Sequence, residues 1–380
     1  MDDLDRIPQY EPSIGEEEVI HMTDYLRSGG WLTEHRKTAE FEAAIAAATG
    51  SLFCMATCNG TVTMAIALWA RGIGPGDEVL VPGFTMIATP NAVRMVGATP
   101  ILVDIEAETL CMDLNAARAK LTSRTRAVIL VSLNGRAPVM KDWREFCDQH
   151  GLFFIEDAAQ SLGSCYAGHQ LGTFGDVGSF SFSPPKIVTT GQGGALVSND
   201  PELYAKMKRI KDFGRSCGGI DVHEDLGFNF KYTDIQAVIG IEQMKRLGAR
   251  VERKRAIYRH YFEKLNGLTN LEMLPLREGH TPWFVDIYVE DRDGLADHLK
   301  RMRIATRPVY PALADQPVYA GQGEIPVAQH YCARGLWLPS ACQLTDAQIR
   351  RVCDSIRDFN QEPSAERSLA QDRVSNHLIG

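Results

Sequence analysis

The chain has 380 residues, of which 44% are hydrophobic and 23% charged; these are ordinary globular values that exclude a disordered, collagen-like or coiled-coil protein. Its length predicts two or three domains. The formal net charge of −8 and the pI of about 5.7 argue against a protein that binds nucleic acid or anionic membranes mainly through charge.

The cysteines and the N-terminus favour a cytoplasmic protein. Nine cysteines form no C-x-x-C pair, which argues against a disulfide framework, and neither they nor the histidines show the spacing of a metal site. The acidic N-terminus lacks the apolar core of a signal peptide. Residues 51–70 carry no charge, but Asn59 and Gly60 interrupt them, so we expect a buried strand, a loop and a helix there rather than a membrane span.

Amphipathic windows and short apolar runs alternate through the first two thirds of the chain. The windows predict helices at 16–27, 38–48, 61–71, 113–121, 140–150, 201–211 and 233–246. The apolar runs predict strands at 52–57, 78–81, 100–104, 126–132, 152–156, 177–182 and 194–198. Many of these runs lack a polar alternate face, which is typical of strands buried on both sides in a mainly parallel α/β sheet.

The pattern changes at about residue 247. A basic helical stretch from Arg250 to Leu265 precedes strand-like segments at 283–289 and 305–309 and helical windows at 293–301 and 345–359. We therefore predict a large domain over 1–246, a smaller C-terminal α+β domain over 247–361 and a polar tail over 362–380.

Lys186 is the only ionisable side chain between Val177 and Asn199, in VGSFSFSPPKIVTTGQGGALVSN. Burial in such a segment would lower the pKa of its amine, and a neutral amine attacks carbonyl groups. Taken alone, the segment is equally compatible with an ordinary surface lysine.

Asp157 ends the apolar run FFIED, at the sheet edge where parallel α/β proteins bind ligands. A carboxylate there can accept the ring N–H of a pyridine cofactor. It can equally serve as the N-cap of the next helix.

Asn59-Gly60-Thr61 precedes a predicted helix, and Ser181 lies five residues before Lys186. The first amides of that helix, with the hydroxyls of Thr61 and Ser181, would make a phosphate site, and Gly60 would admit a ligand close to the backbone. A plain capped helix start is the alternative.

In this order, the segments resemble the DegT/DnrJ/StrS family of sugar aminotransferases, and within it are most similar to nucleotide-sugar 4-aminotransferases of the GDP-perosamine synthase type. The resemblance extends over about residues 8–360. It includes GIGPGDEVLVPGFTMIATPNAV, GATPILVDI, FFIEDAAQSLG, GTFGDVGSFSFSPPK, GFNFKYTDIQAVIG, RPVY and LWLPS.

The resemblance implies the aspartate-aminotransferase-like fold, known as pyridoxal phosphate (PLP) fold type I, with a mainly parallel central sheet in the large domain. It implies that Lys186 binds pyridoxal 5′-phosphate as an internal aldimine and that Asp157 partners the ring nitrogen. The remaining cofactor contacts that it implies are Gly60, Thr61, Met86, Gln160, Ser181 and Asn229.

The family also implies a homodimer in which Asn229 reaches the cofactor phosphate of the other subunit. Arg307 and Tyr310, in RPVYP, are candidates for the substrate pocket; a strand end followed by a proline turn is the alternative.

Several positions depart from the family pattern. Met86 stands where an aromatic residue often stacks on the cofactor ring, and its sulfur can still pack there. The chain has GQGG at 191–194 where the family has GEGG. It has SLNG at 132–135 in place of HLYG, and SPP at 183–185 in place of FGN. We expect these changes near the sugar.

The resulting hypothesis is a ping-pong transamination from L-glutamate to a nucleotide-linked 4-keto-6-deoxy sugar, with pyridoxamine 5′-phosphate formed midway. In it, Lys186 moves a proton and Asp157 keeps the ring nitrogen protonated. The open alternatives are an aminotransferase for a non-nucleotide keto sugar or a keto-cyclitol, and a non-catalytic PLP-binding regulatory protein.

Overall fold

A computed structural model of the protein describes residues 6–216 and 218–361. The predicted tail, 362–380, lies outside the described residues. The helices are α1 Glu16–Arg27, α2 Arg36–Thr49, α3 Gly60–Ala70, α4 Ala88–Met95, α5 Leu114–Ala119, α6 Met140–His150, α7 Pro201–Lys211, α8 Asp234–Lys245, α9 Leu247–Leu265, α10 Arg292–Arg301, α11 Pro326–Arg334 and α12 Asp346–Gln361. The strands are β1 Phe53–Thr57, β2 Glu78–Pro82, β3 Thr99–Val103, β4 Thr125–Val131, β5 Phe153–Asp157, β6 Cys165–Tyr166, β7 His169–Gln170, β8 Val177–Ser181, β9 Gly194–Ser198, β10 Leu271–Glu272, β11 Val285–Val289, β12 Arg307–Pro308 and β13 Gly335–Leu338.

The larger sheet has seven strands in the order β1-β9-β8-β5-β4-β2-β3. Strands β8, β5, β4, β2 and β3 pair in parallel, whereas β9 runs antiparallel to both of its neighbours. The prediction of an α/β fold with a mainly parallel sheet is therefore confirmed. Because β5 is central, its last residue, Asp157, lies in the middle of one sheet edge.

Both faces of this sheet are covered by helices. On β4, Ile129 joins a cluster with residues of α3 and α4, while Val128 and Leu130 join one with Trp143 and Phe146 of α6. Successive strand residues point to opposite faces, so a strand covered on both sides needs an unbroken apolar run.

The smaller sheet is antiparallel, with four strands in the order β10-β11-β13-β12. Residues of α9, α10 and α12 pack against it in one apolar cluster. The chain passes from α8 to α9 through Arg246, at the predicted domain boundary. The division into domains at that point remains a prediction.

A buried ion pair joins the two sheets. Arg136, after β4, binds Asp286 of β11 through two hydrogen bonds of 2.7 and 2.6 Å. The Tyr288 hydroxyl donates to the same carboxylate at 2.8 Å. This geometry satisfies a charge pair that would be costly to bury without such contacts.

The structure contains elements that the sequence patterns did not predict, chiefly α4, α11 and β13. The segment predicted at 305–309 is strand only at Arg307–Pro308. The uncharged stretch 51–70 forms β1, a loop and α3, as predicted. Within the described part of the chain, no helix has both the length and the apolar character needed to span a membrane.

Candidate active site

Asp157 is a buried carboxylate that accepts few hydrogen bonds. It is 5% exposed; the Thr89 hydroxyl donates to its Oδ2 at 2.7 Å, and the Ala159 N–H donates to its Oδ1 at 3.2 Å. Burial raises the pKa of Asp157, while these two donors and the nearby Lys186 ammonium oppose the rise. A carboxylate offers about four lone-pair sites, so this one can accept a further N–H.

Lys186 lies in the loop that follows β8. The backbone N–H of Lys186 donates to the Ser183 carbonyl at 3.0 Å, and the backbone carbonyl of Lys186 accepts from the Tyr10 hydroxyl at 3.1 Å. Its Nζ lies 4.0 Å from the ring centre of Trp283. Burial lowers the pKa of the Lys186 amine to about 8, and the Asp157 carboxylate opposes that shift. A substantial fraction of the amine is therefore neutral at mildly alkaline pH.

The N-terminus of α3 meets the end of β8. Asn59 caps the helix, and its Oδ1 accepts the N–H groups of Thr61 and Val62, each at 3.0 Å. A Cβ added at Gly60 would lie 2.9 Å from the Cβ of Ser181 and 3.3 Å from its Oγ. The N-terminus of α3, whose first turn includes Thr61, and the adjacent Ser181 define a cradle, and a helix N-terminus of this kind is suited to an anion.

Gln160 is buried and tied to the smaller sheet through Asn134. Its Oε1 accepts the Asn134 N–H at 2.7 Å. The Asn134 side chain donates to the Phe284 carbonyl at 2.9 Å and accepts the Phe284 N–H at 2.7 Å. Asn134 has φ 53° and ψ 32°, a left-handed conformation that Asn tolerates better than most residues.

An aromatic wall extends from Lys186 toward the surface. The ring of Trp283 lies 5.6 Å from that of Trp337, which Tyr310 meets edge-on at 4.8 Å. The exposed Arg307 guanidinium lies 5.6 Å from the Trp337 ring centre. Burial raises the pKa of Tyr310, Arg307 lowers it and the Asp157 carboxylate raises it, so Tyr310 lies within electrostatic range of both.

The structure brings most of the predicted site residues together. Gln160, Ser181 and Lys186 line one cavity with Trp283. The predicted residues described above that do not line it are Gly60, Thr61, Asp157, Arg307 and Tyr310, and two predicted residues remain to be placed. Met86 is 43% exposed, and its carbonyl accepts the Thr89 N–H at the start of α4.

Asn229 is the second of these. Its backbone forms a bridge to Asp212, and the residue is exposed. The neighbouring Phe230 carbonyl accepts the N–H of Cys58, just before the cradle. Asn229 therefore lies on a segment that packs beside the phosphate cradle without being enclosed by it.

The sequence patterns missed Thr89 and Trp283, which contact the two central residues. Pro90 argued against a helix at Thr89, so that helix was not predicted. A threonine in the otherwise apolar MIATP is a weak signal of a functional residue. The only sequence signal at Trp283 is that of an aromatic residue at the start of a predicted strand, which is not specific for a site residue. Both contacts join distant parts of the chain.

The arrangement fits pyridoxal phosphate. The Gly60 cradle suits its phosphate, the free lone pairs of Asp157 suit its ring N–H, and Lys186 provides an amine for its aldehyde. Gln160 lines the same cavity as Ser181 and Lys186. Each polar part of the cofactor thus has a chemically matched residue.

Comparisons with known proteins agree with this fit. The model of the DegT/DnrJ/EryC1/StrS aminotransferase family matches residues 12–357. The chain is 36% identical over 357 residues to GDP-perosamine synthase of Escherichia coli O157:H7, covering 93% of this chain and 98% of that protein. The enzymes of this family are PLP-dependent.

Other similar proteins differ in the nucleotide that their names contain. UDP-N-acetyl-3-dehydro-alpha-D-glucosamine 3-aminotransferase of Acidithiobacillus ferrooxidans is 36% identical over 321 residues, 83% of this chain and 86% of that protein. The structure of DesI in the presence of its TDP-sugar product matches with a TM-score of 0.89 at 29% identity, covering 98% of this chain and 96% of that one.

Proposed function

The chain belongs to the DegT/DnrJ/EryC1/StrS aminotransferase family, and from that premise we propose that it transfers an amino group from L-glutamate to a nucleotide-linked 4-keto-6-deoxy sugar in two half-reactions. The observation that carries the proposal is the Lys186 amine, with its pKa lowered to about 8, within the field of the buried Asp157 carboxylate. The names of the similar proteins support a nucleotide-linked sugar as the acceptor.

Pyridoxal phosphate, when bound, supplies an electron sink for the negative charge that forms when a proton leaves the carbon bearing the amino group. Asp157 would hold the cofactor ring N–H, and Thr89 favours the ionised form of Asp157 that this needs. The α3 N-terminus with Thr61 and Ser181 would hold the phosphate. We keep Met86 as the proposed contact to the ring face.

Within each half-reaction, the Lys186 amine would take a proton from one of two carbons, the carbon that bears the amino group and the cofactor carbon bonded to the same nitrogen, and give it to the other. A pKa of about 8 suits both steps, because the amine then exchanges protons readily near neutral pH. Trp283, which is 4% exposed, limits access of water to the amine. Gln160 would orient the cofactor from the cavity wall.

Arg307 and Tyr310 are the proposed residues for substrate binding. The exposed Arg307 guanidinium at the outer end of the aromatic wall is suited to a phosphate group of the nucleotide. Tyr310, within range of Asp157, would face the sugar. In this arrangement the anionic part of the substrate would lie outside and its carbonyl group near Lys186.

The first test is the visible absorption of the purified protein with pyridoxal phosphate, before and after L-glutamate is added. We expect a band that depends on Lys186 and bleaches with glutamate. Lys186→Ala should abolish turnover, whereas Lys141→Ala, at an exposed lysine of α6, should leave it unchanged. Turnover of Lys186→Ala at the normal rate would refute the assignment.

The acceptor is tested with the pyridoxamine phosphate form of the enzyme. GDP-, UDP- and dTDP-linked 4-keto-6-deoxy sugars, a free keto sugar and a keto-cyclitol are compared by the rate at which they restore the band. We expect the nucleotide-linked sugars to react fastest. Faster reaction of the free sugar or the cyclitol would exclude the proposed substrate class, and a band that no compound changes would favour a regulatory protein.

We further propose a homodimer in which Asn229 completes the partner's site. Its exposure, beside the segment that contacts Cys58, supports this role. Mixing Lys186→Ala and Asn229→Ala subunits tests it at limiting pyridoxal phosphate, because a mixed dimer would contain one site with both native residues. If Asn229 acts within its own subunit, mixing gives no gain in activity.

The cytoplasm is the proposed compartment. The odd number of cysteines without a paired pattern supports it, because stable disulfides belong to oxidising compartments. Fractionation of the native host tests it: recovery of the full chain with the periplasm or the medium would contradict the proposal.

A further inference from the structure

The free amine of Lys186 lies against an aromatic face. Its Nζ is 4.0 Å from the ring centre of Trp283, and both residues line the cavity that also contains Gln160 and Ser181. This distance is well within the range of about 6 Å over which an ammonium is attracted to an indole face. The two residues are almost one hundred positions apart in the chain: Lys186 follows β8 of the larger sheet, and Trp283 precedes β11 of the smaller sheet.

Several contacts fix the position of Trp283. Its indole N–H donates to the Pro185 carbonyl at 2.6 Å, and its own carbonyl accepts from Lys254 Nζ at 2.5 Å. Its ring stacks on that of Phe284 at 4.0 Å. The indole is thus hydrogen-bonded to the residue directly before Lys186. This bond fixes the distance between the ring and the Cα of Lys186.

The indole face acts on the lysine in a defined direction. Burial disfavours the Lys186 ammonium, and Asp157 favours it through its charge. An aromatic face also favours the ammonium, because the negative face of the ring attracts a cation. A ring in this position therefore strengthens Lys186 as a base in a site that excludes water.

We propose that Trp283 is a positioning residue whose indole face receives the Lys186 side chain whenever its amine is not bonded to the cofactor. The proposal rests on the proposed function, in which that amine is free for part of each half-reaction. In that interval the Lys186 side chain must hold and return a proton while it stays in one position. The indole face stabilises the protonated side chain in one place, next to the cavity.

The test weakens the attraction without changing the shape of the residue. Tryptophan carrying one, two, three or four ring fluorines is incorporated at Trp283 in the full chain, which is then loaded with pyridoxamine phosphate so that Lys186 is free. Trace labelling with acetic anhydride across a pH series, read on the peptide that contains Lys186 by mass spectrometry, gives the midpoint of its titration. Fluorine withdraws charge from the ring face, while the indole N–H bond to Pro185 remains.

We expect the Lys186 midpoint to fall progressively with fluorine number, by about 1.5 pH units over the series, since a desolvated cation–π contact is worth about 2 kcal/mol. The same analogues at Trp143, a buried tryptophan of α6, are the matched control and should leave the midpoint unchanged. A midpoint that does not depend on fluorine number, or an equal trend at Trp143, would overturn the proposal.

This readout is independent of turnover. The titration of Lys186 is measured without amino donor or sugar, whereas the proposed function is judged by bleaching with L-glutamate. A fluorine trend in a protein that glutamate does not bleach would retain the contact and reject the function. Bleaching without a fluorine trend would retain the function and reject the role of Trp283.

Discussion

Replacing Thr89 by valine tests how the protein keeps Asp157 ionised. Valine matches threonine in shape but cannot donate the 2.7 Å hydrogen bond to Asp157 Oδ2. A hydrogen bond contributes about 1.5–3 kcal/mol when its acceptor is charged and about 1 kcal/mol when it is neutral, and the difference of about 0.5–2 kcal/mol corresponds to a rise of about 0.4 to 1.5 units in the pKa of Asp157. That pKa already lies above the ordinary value of 3.8 because of burial.

The sign of the pH dependence follows from the ionised form. Thr89 stabilises the carboxylate, so its contribution is present above the folded pKa of Asp157 and falls as the pH drops through it. We expect Thr89→Val to lower the free energy of unfolding by about 1.5–3 kcal/mol at pH 8 and by about 1 kcal/mol once Asp157 is protonated.

Denaturant unfolding of the cofactor-free chain at a series of pH values measures both quantities. Thr49→Val is the control, because the buried Thr49 hydroxyl donates to the neutral Ile45 carbonyl at 2.9 Å and its loss should not depend on pH. If Thr89→Val costs the same at every pH, Thr89 acts through packing alone and the electrostatic reasoning is wrong.

Further substitutions at four positions test the cradle and the links between the sheets. Gly60→Ala should lower the affinity for pyridoxal phosphate at least tenfold in equilibrium titrations, because the added Cβ would lie 2.9 Å from the Ser181 side chain of β8. Gly248→Ala is the control: its Cβ would meet open space, so the affinity should not change. Replacing Arg136 or Asp286 alone by leucine should cost about 3–5 kcal/mol of unfolding free energy, and the double variant much less than the sum, because a single change leaves a buried charge unpaired. Asn134→Gly keeps the left-handed backbone but removes two hydrogen bonds, so we expect a loss of about 1–3 kcal/mol in the same assay, and no loss would show that these bonds contribute nothing.

The strands of the larger sheet were predictable because burial on both faces leaves a plain mark in the sequence. Runs such as residues 127–131 and Phe153–Asp157 have no polar alternate face, and the structure buries every residue of both. The position of Asp157 at the end of one of them was predictable for the same reason. The assignment of pyridoxal phosphate needed the family resemblance in addition.

Other features could not be predicted because they depend on contacts between distant segments. Helix α4 contains Pro90, and propensity alone argues against a helix around a proline. Proline is nevertheless tolerated in the first turn of a helix, where its missing N–H has no partner to lose. The hydrogen bond from Thr89 to Asp157 spans 68 residues, and no local pattern contains it.

Two segments in which the chain departs from the family pattern meet at one place in the structure. Asn134 of SLNG holds both backbone groups of Phe284, and the carbonyl of Pro185 in SPP accepts the indole N–H of Trp283. The departures therefore concern how residues 283–284 are fixed above Lys186. The side chain of Asp157, by contrast, accepts its hydrogen bonds from Thr89 and Ala159, which belong to neither segment.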